Sequence, residues 1–241
     1  MSDVFPKWTN RLPLMIIVGT FFTASAVVAG CWYYLTNKYT NVGYMPLQPV
    51  AFSHSIHADQ LGMDCRYCHS FVEVAAHSNV PNTQLCMNCH SQVQKDNPKL
   101  EPVRQSWKDG RPIDWVWIHR LPDYVFYNHA AHVNRGISCA SCHGQINHMP
   151  VVYDAKPMSM AWCLECHRHP ENFLRPEDQI TNLDWKPEDV KPAEFVAKYG
   201  QPQGVTEDWS KKKHLTQAEI GQTLKERWHI TTSENCQTCH R

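Results

Sequence analysis

Residues 127–143 read YNHAAHVNRGISCASCH, and this stretch decides what kind of protein the chain builds. Its last five residues, Cys139-Ala-Ser-Cys142-His143, set two thiols three apart on one helical turn, with an imidazole directly after them. That spacing suits the two vinyl groups of one haem, which the thiols bind as thioethers while the histidine lies beneath the iron as proximal ligand. Upstream, Tyr127-x-His129-x-x-His132 places two more imidazoles near one helix face, where each can serve a different iron. Gly136 stands three residues before the first cysteine.

Working outward, the same arrangement occurs earlier as Phe52-x-His54-x-x-His57, Gly62 and Cys65-Arg-Tyr-Cys68-His69. Each copy is followed roughly 20 to 25 residues later by a second motif, Cys86-Met-Asn-Cys89-His90 after Pro81 and Cys163-Leu-Glu-Cys166-His167 after Pro157. A fifth, Cys236-Gln-Thr-Cys239-His240, closes the chain. A shuffled chain of this composition would hold on the order of 0.03 such pentapeptides, so five are not chance. Zinc sites pair Cys-x-x-Cys units without needing a histidine after each one. Ten of the eleven cysteines are consumed, leaving Cys31. The expected cofactor complement is five haems c, with His69, His90, His143, His167 and His240 as proximal ligands.

The sixth ligands separate a wire from an enzyme, because an iron with two protein ligands transfers electrons and an open iron binds substrate. Ten histidines remain beyond the proximal five. The paired His54, His57, His129 and His132 lead, followed by His119 in Trp117-Ile-His119-Arg-Leu-Pro122, with His77 ranked lower. Met149, Met158 and Met160 flank the third and fourth motifs; packing on a haem face is their favoured role, and axial ligation the alternative. His148, His169, His214 and His229 read as surface or loop residues. No catalytic residue is assigned, and potentials are set by axial ligand, burial and nearby charge. Arg66, Arg104, Arg168 and Arg241 are either propionate partners or solvated surface groups.

Residues 12–37 carry no charge and are long enough to span a bilayer. Lys7 and Arg11 precede the run, and Trp32, Tyr33 and Tyr34 crowd its far end as an interfacial belt. Val28-Ala29-Gly30-Cys31 looks like a lipoprotein processing site, but the expected role is an uncleaved signal anchor, with the N-terminus cytoplasmic and the haem domain on the periplasmic face of the inner membrane. The expected organisation is a cytoplasmic N-terminus over 1–12, a transmembrane anchor over 13–36 and a four-haem region of two dihaem modules over 45–170. A haem-poor wrapping segment, a helix and the fifth haem fill 171–241.

The 241-residue chain balances 23 basic against 23 acidic side chains, so nothing points to nucleic acid. Five haems would add roughly −5 through their propionates in the oxidised state. Regular periodicity is weak beyond residue 45, which predicts a mainly α fold with extensive loops and no run of strands. One helix is well signalled: Thr216-x-x-Glu219 is a capping box opening LTQAEIGQTLKERWH.

With these residues in view, the chain resembles the pentahaem cytochrome c subunit of bacterial alternative complex III, a quinol-oxidising respiratory complex. The resemblance rests on one N-terminal apolar helix, then QPVAFSHSIHADQLGMDCRYCHS, VPNTQLCMNCH, IHRLPDYVFYNHAAHVNRGISCASCHG, MSMAWCLECHR and the closing CQTCHR. It covers most of residues 45–170 and the C-terminal motif; 170–235 has no matching motif. The resemblance implies electrons from quinol oxidation passing through the haems to a monohaem cytochrome c subunit, a soluble carrier or a terminal oxidase. It also implies integral membrane subunits and an iron–sulfur subunit as partners, with the quinol site mainly outside this chain. The competing readings are a stand-alone membrane-anchored quinol dehydrogenase feeding a periplasmic reductase, and a catalytic multihaem reductase. Against the latter stand the absence of any Cys-x-x-Cys-Lys variant and the surplus of histidines.

Overall fold

The computed structural model describes residues 5–35 and 41–240, and among these it contains helices and loops with no strand. Helix α1 (Leu12–Leu35) extends a single turn over Lys7–Arg11, and the stretch Lys7–Tyr34 is long and apolar enough to cross a membrane. None of it is buried against the rest of the protein, and its Leu, Ile, Val and Phe side chains are exposed. An apolar helix with no protein partner needs another apolar surface to cover it. Residue 36, the expected end of the anchor, lies outside the described residues.

Beyond α1 the chain is fixed by backbone pairing: Gly43 N donates to Asp154 O (2.7 Å) and Asp154 N to Tyr44 O (3.0 Å). The Gln48 side chain then pairs both ways with the Val116 backbone, at 2.9 and 3.0 Å. Among the described residues nine further α-helices follow: α2 (Cys65–Cys68), α3 (Thr83–His90), α4 (Glu101–Asp109), α5 (His129–Val133), α6 (Cys139–His143), α7 (Met160–Arg168), α8 (Pro192–Tyr199), α9 (Gln217–Arg227) and α10 (Cys236–Cys239).

Such short helices do not hold themselves, since nucleation is costly and tertiary packing must supply the stability. Their starts are capped accordingly. Asp64, Ser138 and Asn235, each immediately before a motif's first cysteine, accept hydrogen bonds from Arg66, Ala140 and Gln237 N. Asn82 and Ser159, four residues before Cys86 and Cys163, accept from Leu85 and Trp162 N. Each cap satisfies an orphan helical donor and contributes about 1 kcal/mol. The cap position therefore alternates with the motif in step with the duplication.

The best-packed apolar core lies outside the motifs. Leu174, Trp185, Phe195, Trp209, Leu215, Ile220 and Leu224 form one buried cluster, with Trp228 and Tyr199 against it. The segment expected to wrap the domain thus builds a core of its own around α9. The capping box of α9 is formed as expected, Thr216 accepting from Glu219 N while Glu219 accepts from Thr216 N. Gly221 lets α9 press against the turn Pro170–Asn172, because a Cβ there would overlap the Glu171 carbonyl. Buried aliphatics are sparse across 45–170, chiefly Val50, Val72, Val103, Val133 and Met149.

Candidate functional site

The two copies of the aromatic-x-His-x-x-His unit have nearly the same geometry. Phe52 stacks on His57 (centroids 4.6 Å, planes 23° apart) and meets His54 edge-on at 4.9 Å. Tyr127 stacks on His132 (4.6 Å, 28°) and meets His129 edge-on at 4.7 Å. The second histidine of each unit is held by its own turn, His57 Nδ1 donating to Ser53 O (2.9 Å) and His132 Nδ1 to Asn128 O (2.8 Å). His57 then faces His90 of the second motif, and His132 faces His167 of the fourth, both at 6.2 Å between ring centroids. Half that distance, less about 1.1 Å from ring centre to nitrogen, leaves about 2 Å, the length of a metal–imidazole bond.

The remaining expected ligands gather around the first and third motifs. His119 meets His143 at 4.3 Å, about 2 Å closer than the other pairs, so an iron between them requires that pair to open. His54 and His129 both lie within electrostatic reach of His69, and His77 sits beside His129. No described histidine ring stacks on or meets His240; its ring neighbour is Tyr124, at 5.8 Å.

Tautomer and protonation favour metal binding. A carbonyl only accepts, so an Nδ1 bonded to one carries the proton and leaves the Nε2 lone pair free. This holds for His57 and His132, and for His69 to Asn79 O (2.7 Å), His90 to Val93 O (2.9 Å), His129 to Ala76 O (2.9 Å) and His167 to Ser233 O (2.7 Å). His240 makes the same bond to Tyr124 O at 3.3 Å. The other three of the ten expected iron ligands, five proximal and five leading distal, carry buried ring nitrogens without a partner: His54 Nδ1, His119 Nε2 and His143 Nδ1. Burial, then neighbouring histidines, holds the His54 pKa down at about 4 and that of His143 at about 3, while burial also lowers His119, His129 and His132. Each of these imidazoles is therefore neutral near pH 7, the form that binds metal. Among the described residues, no three His, Cys, Asp or Glu side chains converge as a metal cage. The donor set is one of axial imidazoles in pairs, which suits an iron whose equatorial ligands come from a macrocycle.

The lower-ranked residues stand apart. His148 is engaged at both nitrogens, Nδ1 to Asp59 (3.4 Å) and Nε2 to Asp184 (2.7 Å). His169 pairs with Glu171 at 3.4 Å on the surface. Met149 is buried, Met160 is exposed at the start of α7, and Met158 adopts a left-handed conformation (φ 43°). The arginines have protein partners: Arg66 binds Asp64 and Glu73, Arg104 binds Glu101 and two carbonyls, and Arg168 binds Glu234. Arg241 lies outside the described residues. The helix caps Asp64, Asn82, Ser138, Ser159 and Asn235 were not singled out from the sequence, although an Asp, Asn or Ser one or four residues before each motif is a readable signal.

Capped turns that each offer two thiols and an imidazole, with further imidazoles set opposite, define a c-type cytochrome carrying more than one covalently bound haem. Residues 50–106 match the family described as cytochrome c7 and related cytochrome c. The multiheme cytochrome c subunit of menaquinone reductase from Nitratidesulfovibrio vulgaris is 31% identical over 172 residues, covering 62% of this chain and 79% of that protein. The chain belongs to the family of that multihaem cytochrome c subunit.

Proposed function

We propose that the chain is the electron-relay subunit of a membrane-bound, quinol-linked respiratory complex, holding five haems c and exchanging electrons with a periplasmic cytochrome or terminal oxidase. The observation that carries this reading is the pairing of His57 with His90 and His132 with His167 at the spacing two axial imidazoles need. When bound, each haem supplies an iron that gains or loses one electron. The chain's own residues do the rest. The five cysteine pairs fix each macrocycle covalently, and the carbonyl-bonded Nδ1 atoms lock the imidazoles in the ligating tautomer. Phe52 and Tyr127 brace the second histidine of each unit by stacking. Ligands held this firmly keep rearrangement small during electron exchange, and no substrate chemistry is assigned to this chain.

The relative's name supports a quinone partner, since that protein is a subunit of a menaquinone reductase. Its name gives quinone reduction, whereas the resemblance to alternative complex III implies quinol oxidation; a relay conducts in either direction, and the donor and acceptor potentials decide which. The reading places α1 in the inner membrane, the haem domain on the periplasmic face, and integral membrane subunits and an iron–sulfur subunit alongside. Gentle solubilisation through a C-terminal tag, mass spectrometry of co-purifying chains and iron analysis test it. Five irons per chain and multispanning subunits with an iron–sulfur protein are expected. Recovery alone, with direct quinol oxidation, would replace it with a self-contained quinol dehydrogenase.

A further inference from the structure

We infer that the five haem-binding motifs form a row in the order second, first, third, fourth, fifth, so that electrons enter and leave at the exposed second and fifth sites. This order differs from the chain order and rests on the five-haem relay proposed above.

Four junctions define it. At the first, His57, on the turn leading into the first motif, faces His90 of the second, and the Cys68 thiol lies within electrostatic reach of Cys86 and Cys89. At the second, the first and third motifs meet at Cys65 and Cys139, whose sulfurs lie within interaction reach of one another. The same junction is closed by His129 N and Nδ1, both donating to Ala76 O at 3.0 and 2.9 Å, by Ala130 N to Ala75 O, and by the Asn134 side chain to Glu73 O (2.8 Å). At the third, His132 faces His167, while Tyr127 and the Cys142 thiol both lie within reach of Cys163 and Cys166. At the fourth, His167 Nδ1 donates to Ser233 O (2.7 Å), Arg168 pairs with Glu234 (2.9 Å), Thr232 donates to the His167 carbonyl, and Cys163 lies within reach of Cys239.

Exposure of the thiols agrees independently. Of the ten motif cysteines, the two exposed ones are Cys89 and Cys236, in the second and fifth motifs. The third motif, central in the row, has a buried, unpartnered His143 Nδ1 and starts at the buried cap Ser138. Haems held by these motifs would pass one electron at a time along the row, one iron being oxidised as its neighbour is reduced, with no proton or atom transferred.

Electron cryo-microscopy of the intact complex, with iron positions assigned to motifs through their thioethers, tests the order. The expected nearest-neighbour pairs are second–first, first–third, third–fourth and fourth–fifth, with both terminal sites the nearest to solvent or a partner subunit. Five irons with the second site beside the third, fourth or fifth, or with the first and third sites apart, overturn the row and leave the relay standing. Fewer than five irons overturn the relay's haem count and the row with it.

Discussion

Replacing His132 with alanine removes the ring that faces His167 across 6.2 Å. This pair would hold an iron through one imidazole from each side, so the substitution would remove one of the two residues that ligate it. The nearest aromatic group cannot stand in as an anionic ligand: Tyr127 stacks on His132, and burial raises its phenol pKa far above the usual range, so it stays protonated. With the five haems proposed above, one iron in five would lose its sixth ligand, and about a fifth of the ferric haem would convert from low to high spin. The lost stack costs about 0.5–1.5 kcal/mol, which leaves the fold intact. Low-temperature electron paramagnetic resonance of the oxidised variant and carbon monoxide binding by the reduced one read the change. The control is His148→Ala, whose ring is tied to Asp59 and Asp184 and for which no spin change is expected. A fully low-spin His132→Ala protein, or the same high-spin signal from His148→Ala, would refute the reasoning.

Three further outcomes follow from the packing. Gly221→Ala gains about 1 kcal/mol of helix propensity but forces a Cβ into the Glu171 carbonyl, an overpacking cost of about 3 kcal/mol, so thermal denaturation should show a net loss near 2 kcal/mol. Leu224→Ala empties part of the fully buried core and costs about 2–5 kcal/mol by the same measurement. The His148 pKa is raised by Asp184 and then Asp59, so this ion pair stabilises fully below about pH 6.5 and the contribution is lost as pH rises through the raised pKa. Both partners are exposed, so the effect is under about 1 kcal/mol, and Asp184→Asn should reduce this pH dependence in urea titrations, leaving the smaller part due to Asp59.

The parts of the site that local chemistry dictates were legible in the sequence. A Cys-x-x-Cys-His turn needs only five neighbouring residues, and the duplication marks out the paired histidines. The partner of each ring was not legible: His57 meets His90, 33 positions on, because of how the modules pack. The arginines read as propionate partners or solvated surface groups because their acidic protein partners, such as Glu73 for Arg66 and Glu234 for Arg168, are brought in by the fold. The apolar core escaped reading for a related reason. Trp185, Trp209 and Leu215 are spread through a charged, proline-rich segment without periodicity, and they converge only when α8 and α9 meet.

The two backbone hydrogen bonds that hold Gly43 and Tyr44 to Asp154 also set a leash. Six peptide units join Leu35 to Asn41, and a chain of that length reaches at most about 22 Å. With α1 in a bilayer as proposed, the point where the domain begins would lie within that distance of the end of the helix, and a membrane-bound partner would meet it at an effective concentration in the millimolar range. Bulk diffusion would then drop out of the exchange with that partner.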